Sequence, residues 1–102
     1  MKKIINGKLY DTSTAEKIDS WRSGRSPGDF NYIAETLYVT PSKAFFLHGT
    51  GGAATEYAEL VGSRKCGSET IVTMTSQEAM EWCEQRDVDA DIYQKYFDVT
   101  PA

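Results

Sequence analysis

Apolar runs bounded by turn residues fill most of this chain and read mainly as strands, and helical spacing is clearest in the last quarter. The longest purely apolar run, Ala44–Leu47, continues through His48 into the glycine cluster Gly49-Thr50-Gly51-Gly52. It reads as a central strand that feeds a backbone-exposing loop. Two short apolar flanks around Asn6-Gly7, with Ile4 and Ile5 before it and Leu9 and Tyr10 after it, predict a hairpin. Asn-Gly suits the positive φ angles of a type I′ turn, and a two-residue turn sets Ile4 opposite Leu9. These two strands are expected to begin the sheet.

Asp11–Trp21 fits two structures. Ser13 with Glu16 resembles a capping box, and Ala15, Ile18 and Trp21 recur every third residue. Lys17–Trp21 fits a strand equally, and the threonines, poor starters of so short a helix, favour the strand. Residues 22–29 hold two glycines and a proline and form a loop. Phe30–Thr40 reads as a strand, with a helical start open at Phe30–Glu35, and Pro41-Ser42-Lys43 turns it into the 44–47 run as a hairpin. Thr55–Leu60 suggests one or two helical turns, 62–68 a loop, and Ile71–Met74 a last strand.

Thr75-Ser76-Gln77-Glu78 is a capping box that opens a helix whose inner face is Ala79, Met80, Trp82 and Cys83. Asp89 is placed to cap a second short helix carrying Ile92, Tyr93, Tyr96 and Phe97. The expected fold is α+β: an antiparallel sheet of four to five strands, a C-terminal helix packed on it, and a short extra helix.

A length of 102 residues fits one domain, residues 1–102. No apolar run approaches the roughly 18 residues that a membrane span needs. No hydrophobic signal region follows Lys2 and Lys3, so the expected location is the cytoplasm, with Cys66 and Cys83 as reduced thiols. Charge changes the picture more than composition does. The net charge is −4, but residues 76–102 carry seven acids against Arg86 and Lys95, or −5, which leaves +1 for the rest.

The candidate chemistry is sparse. Residues 49–52 lack the lysine of a phosphate-cradling loop and the spacing of a dinucleotide fingerprint, so they read first as a turn whose glycines supply positive φ. His48 reads first as a structural imidazole. With Cys66 and Cys83 it makes no metal-ligand spacing, and neither a metal nor a cofactor is expected. Arg22, Arg25, Arg64 and Lys65 fall in two glycine- and serine-rich loops that grip a phosphate backbone if they meet. Glu78, Glu81, Glu84, Asp87, Asp89 and Asp91 present the opposite charge, and a rigid carboxylate array can imitate phosphates and speed encounter with a basic groove. Six tyrosines exceed what a core of this size needs, and some are expected to face a partner or a second copy of the chain.

Lys3–Ala15, Leu37–Thr40, Phe45–Gly52 and Ala79–Trp82 together resemble a family of short, uncharacterised bacterial proteins carried by phages, plasmids and integrated elements. The resemblance implies a role in the contest between element and host and transfers no catalytic residues. In type the chain is similar to anti-CRISPR and anti-restriction inhibitors, which are short, single-domain and often acidic. The leading expectation is a non-enzymatic inhibitor of a host nucleic-acid-handling complex. Its partner would be a host protein or ribonucleoprotein bound through the six acids at 78–91, with homodimerisation open and no membrane contact. The first alternative is a nucleic-acid-binding module that uses Arg22, Arg25, Arg64 and Lys65, disfavoured by the negative net charge. The second is an enzyme around His48 and the 49–52 glycines.

Overall fold

The computed structural model describes residues 1–24, 26, 29–52, 55, 57–61 and 64–102, with the backbone alone at 59–61 and 64–66. Among these residues, eight strands precede two helices. Strands β1 (Lys2–Ile5) and β2 (Lys8–Asp11) are joined by Asn6 and Gly7, both at positive φ, 51° and 75°. The type I′ geometry sets Ile4 opposite Leu9. Contrary to expectation, the hairpin does not extend the main sheet but forms a two-stranded sheet of its own. Strand side chains alternate between faces, and here the face that buries carries Tyr10 and Ile5, leaving Ile4 and Leu9 70% and 57% exposed.

Asp11 decides the ambiguous segment. Its carboxylate accepts from the Ser13 amide at 2.9 Å and the Ser13 hydroxyl at 2.7 Å. The side chain that would have capped a helix is therefore committed to an Asx turn. Strand β3 (Glu16–Arg22) follows, with a register break between Lys17 and Asp19. The helical start at Phe30 is also absent. Asp29 holds the Asn31 and Tyr32 amides in a turn, and β4 spans Ile33–Val39.

Strand β5 (Phe45–Gly51) contains two of the glycines expected in a turn, and neither Gly49 nor Gly51 has positive φ. Strands β6 (Glu59–Val61) and β7 (Arg64–Cys66) form a short ribbon where a helical turn and a loop were expected. Strand β8 (Ser68–Met74) completes a four-stranded antiparallel sheet of order β3-β4-β5-β8, in which β5 is central as predicted.

The capping box opens α1 (Ser76–Gln85). Thr75 Oγ1 accepts from the Glu78 amide at 3.1 Å, and Glu78 Oε1 accepts from the Thr75 amide at 2.9 Å. The helix closes in a Schellman pattern, with the Val88 amide donating to the Cys83 carbonyl and the Asp87 amide to the Glu84 carbonyl. Asp89 caps α2 (Ala90–Tyr96) by accepting from the Asp91 amide at 2.8 Å.

One sheet face packs Ile18, Leu37, Val39 and Leu47 against Ala79, Trp82, Cys83 and Phe97. Each large apolar side chain so buried contributes about 1.5–3 kcal/mol. Phe97 stacks on Phe45 at 5.2 Å, which fastens α2 to the sheet. The opposite face holds a smaller aromatic cluster in which Phe46 stacks on Tyr38 and meets Tyr10 edge-on, at 5.2 and 5.6 Å. Among the described residues, no helix is long and apolar enough to cross a membrane.

Candidate functional site

The six predicted contact acids lie together on α1, the α1–α2 connection and the start of α2, and all are exposed. Local bonds fix several of them. Glu78 closes the capping box, Glu81 accepts from Gln77 at 3.2 Å, and Asp89 caps α2. Tyr93 sits beside Glu84. Desolvation first, and then the Glu84 charge, hold its hydroxyl above the usual tyrosine range. Glu84, Asp87 and Asp98 edge a cleft of about 500 Å³ between the two helices, whose apolar lining includes Val88, Tyr93 and Val99.

The end of α1 contradicts ordinary helix design. Its last turn contains no base, although the negative end of a helix dipole favours cations. Asp87 follows with φ of +54°, a position where glycine is preferred. Arg86, the cation sequence places there, points inward.

The destination of Arg86 is a buried polar centre that the sequence reading missed. Glu35, 4% exposed, is the buried charged side chain among the described residues. Its Oε1 accepts from Trp82 Nε1 and from an Arg86 guanidinium nitrogen, each at 3.0 Å, and its Oε2 accepts from the Tyr57 hydroxyl. The Arg86 guanidinium also lies 3.7 Å from the centre of the Trp21 ring, a cation–π contact. A carboxylate occupied by three donors serves to join elements: β4, α1 and the segment after β5 meet on it. Alternation along β4 contained the signal, because Glu35 shares the parity of Leu37 and Val39 on the inward face. Gly49 lies opposite Glu35 in β5, and a Cβ there would overlap the Tyr57 ring. That close approach, rather than a turn, is why the position is glycine.

His48 is half-buried at the other sheet face, and its Nε2 lies 3.0 Å from Glu69 Oε2 on β8. This contact supplies an orienting carboxylate, one of the partners general-base work uses, and it also ties β5 to β8. Arg22 ends β3 and is exposed, Arg25 lies outside the described residues, and the side chains of Arg64 and Lys65 on β7 are likewise outside them. Among the described residues, no group of three potential ligands is placed to hold a metal ion. Cys83 is a free thiol in the core, pushed up to about 11 by burial, with Asp19 and Glu84 adding to the effect. None of the six tyrosines is fully exposed; Tyr10 and Tyr57 are buried, and the others are half-buried. Tyr10 and Tyr38 pack their rings on Phe46, and Tyr93 packs on Phe97.

Comparison of the chain with protein-family models, with curated proteins and with solved structures found no match.

Proposed function

We propose that this chain is a non-enzymatic binding protein that inhibits a nucleic-acid-handling host complex, docking the carboxylate face of α1 and the α1–α2 connection on a basic groove. The observation that carries this reading is the placement of acids where they destabilise the fold. Glu84 and Asp87 crowd the negative end of α1, Asp87 occupies a backbone conformation suited to glycine, and Arg86 is withdrawn to Glu35. Departures from local rules without local compensation concentrate at functional positions.

The withdrawal of Arg86 leaves the outer surface of α1 without a cation among the described residues. Lys95 reaches instead toward Glu16, 3.9 Å away on β3. Along α1, Glu78, Glu81 and Glu84 give one charge per three residues, about 4.5 Å of axis. One DNA strand carries a charge about every 3.4 Å. The two linear densities are close enough for a groove built for phosphates to accept the helix, with long-range attraction speeding encounter.

The test is capture of a host complex on the immobilised chain. The retained complex should elute with rising salt and with added duplex DNA. E81K/E84K should lose it while keeping the wild-type circular dichroism spectrum, and unchanged retention by that variant overturns the proposal. D87G should stabilise the fold by about 1 kcal/mol through relief of the left-handed backbone, yet weaken retention.

A further inference from the structure

The two edges of the main sheet are built differently. Strand β3 carries Glu16, Lys17, Asp19 and Arg22, has a register break, and lies beside α2. Charges, bulges and covering elements are the devices that keep an edge strand from pairing with another chain. Strand β8 touches α1 much as β3 touches α2, but it lacks most of those charges and the register break. It runs seven residues, Ser-Glu-Thr-Ile-Val-Thr-Met, in unbroken register with β5, holds one charge, and has four consecutive β-branched residues. Its sheet partner is β5 alone, and among the described residues no backbone hydrogen bond leaves the outer side of 69–74. Val72 is 41% exposed. A single flexible side chain reaches across, Lys3 Nζ donating to Thr70 Oγ1 at 3.3 Å.

We propose that β8 pairs antiparallel with β8 of a second copy of this chain, about a two-fold axis at Ile71, to make a continuous eight-stranded sheet. The strand is self-complementary in this register. Thr70 falls opposite Val72 of the second copy, Glu69 opposite its Thr73, and Ile71 opposite its Ile71. The two Glu69 carboxylates are then offset by four residues, about 13 Å along the strand, beyond the screening length of about 8–10 Å. A second copy therefore meets no like-charge clash, and β-branched residues line up opposite one another. The axis is normal to the sheet, so α1 of both copies lies on one side. The acid-bearing end of α1 stays clear of the seam, because Arg86 rests on Trp21 in β3, three strands and roughly 14 Å from β8. This pairing is independent of what the acids bind, and it would display them twice.

Sedimentation equilibrium over a concentration series provides the test. The wild-type chain, of 11.4 kDa, should approach twice that mass as concentration rises. Thr73 is exposed, so substitutions there spare the core. T73E puts two glutamates opposite Glu69 across the seam and should weaken dimerisation by roughly ten-fold. T73K pairs with Glu69 and should strengthen it. E69K/T73E places a lysine opposite a glutamate at both positions and should reverse the T73E loss, dimerising at least as tightly as the wild type. A monomer at every concentration, a dimer that T73E leaves unchanged, or weakening by T73E that E69K does not reverse overturns the proposal.

Discussion

The two faces of the sheet are held together by different chemistry. On the helix side, an apolar layer surrounds an ionic centre where Glu35 is shared by Arg86, Trp82 and Tyr57. On the hairpin side, the buried cluster is Phe46, Tyr10 and Ile71 with half-buried Tyr38, and the His48–Glu69 contact lies at the solvent margin. Both faces contain a carboxylate bonded to a nitrogen base at 3.0 Å. They differ in what happens when one partner is lost. Removing the buried Glu35 takes the acceptor from three donors, whereas removing His48 lets the exposed Glu69 exchange one contact for water. Similar bond lengths therefore conceal very different contributions.

Four variants bear on this contrast. The largest effect is expected from E35A, which strands Arg86, Trp82 and Tyr57 and should cost about 3–5 kcal/mol in urea unfolding. The double variant E35L/R86M removes both charges and should lose less than E35A alone, because apolar groups of similar volume replace a buried ion pair with little penalty. A double variant as unstable as E35A would show that geometry, and not desolvated charge, sets the cost.

An intermediate effect belongs to Cys83 on the same face. Its pKa is raised in the folded state from 9.0 to about 11, so folding favours the neutral thiol. The sign follows from linkage: the contribution is complete below pH 9, where the unfolded thiol is also neutral, and is lost as pH rises toward 11. The urea midpoint should fall more steeply over pH 9–11 in the wild type than in C83A. Tyr93 and Tyr96, raised above the usual 10.0 chiefly by desolvation, add losses of the same sign at higher pH in both proteins. Parallel slopes for wild type and C83A would remove the thiol from the account.

The smallest effect is expected on the hairpin side. H48A should cost only about 0.2–1 kcal/mol, because the contact lies at the solvent margin. A loss comparable with that of E35A would erase the distinction between the faces.

The acidic surface and the β8 edge show the same economy at the surface. Glu84 and Asp87 sit where a helix would be better served by lysine and glycine, and β8 omits the charges that guard β3. In each case the unprotected element is the one proposed to meet another molecule.

Features governed by nearest neighbours were legible along the chain. Asn6-Gly7 specified its turn, Thr75 and Glu78 specified the start of α1, and the spacing of Ala79, Trp82 and Cys83 specified its buried face. The short Pro41-Ser42-Lys43 connection between the 30–40 strand and the 44–47 run indicated paired strands with β5 at the centre. Each depends on backbone preference or side-chain period over a few residues. The exposure of Glu78, Glu81 and Glu84 along α1 followed too, since a helix face is fixed by spacing.

Tertiary structure decided what distant residues share. Glu35 meets Trp82 and Arg86 across separations of 47 and 51 residues, and no local preference marks such a pairing. Gly49 looked like part of a turn because its reason, the Tyr57 ring, comes from a segment beyond the strand. The hairpin matched its predicted register but took its own place, since the Asn-Gly turn fixes which residues oppose one another and only packing fixes where the ribbon lies. Local free energies select elements; burial of charge and aromatic surface, which requires the whole fold, selects their arrangement.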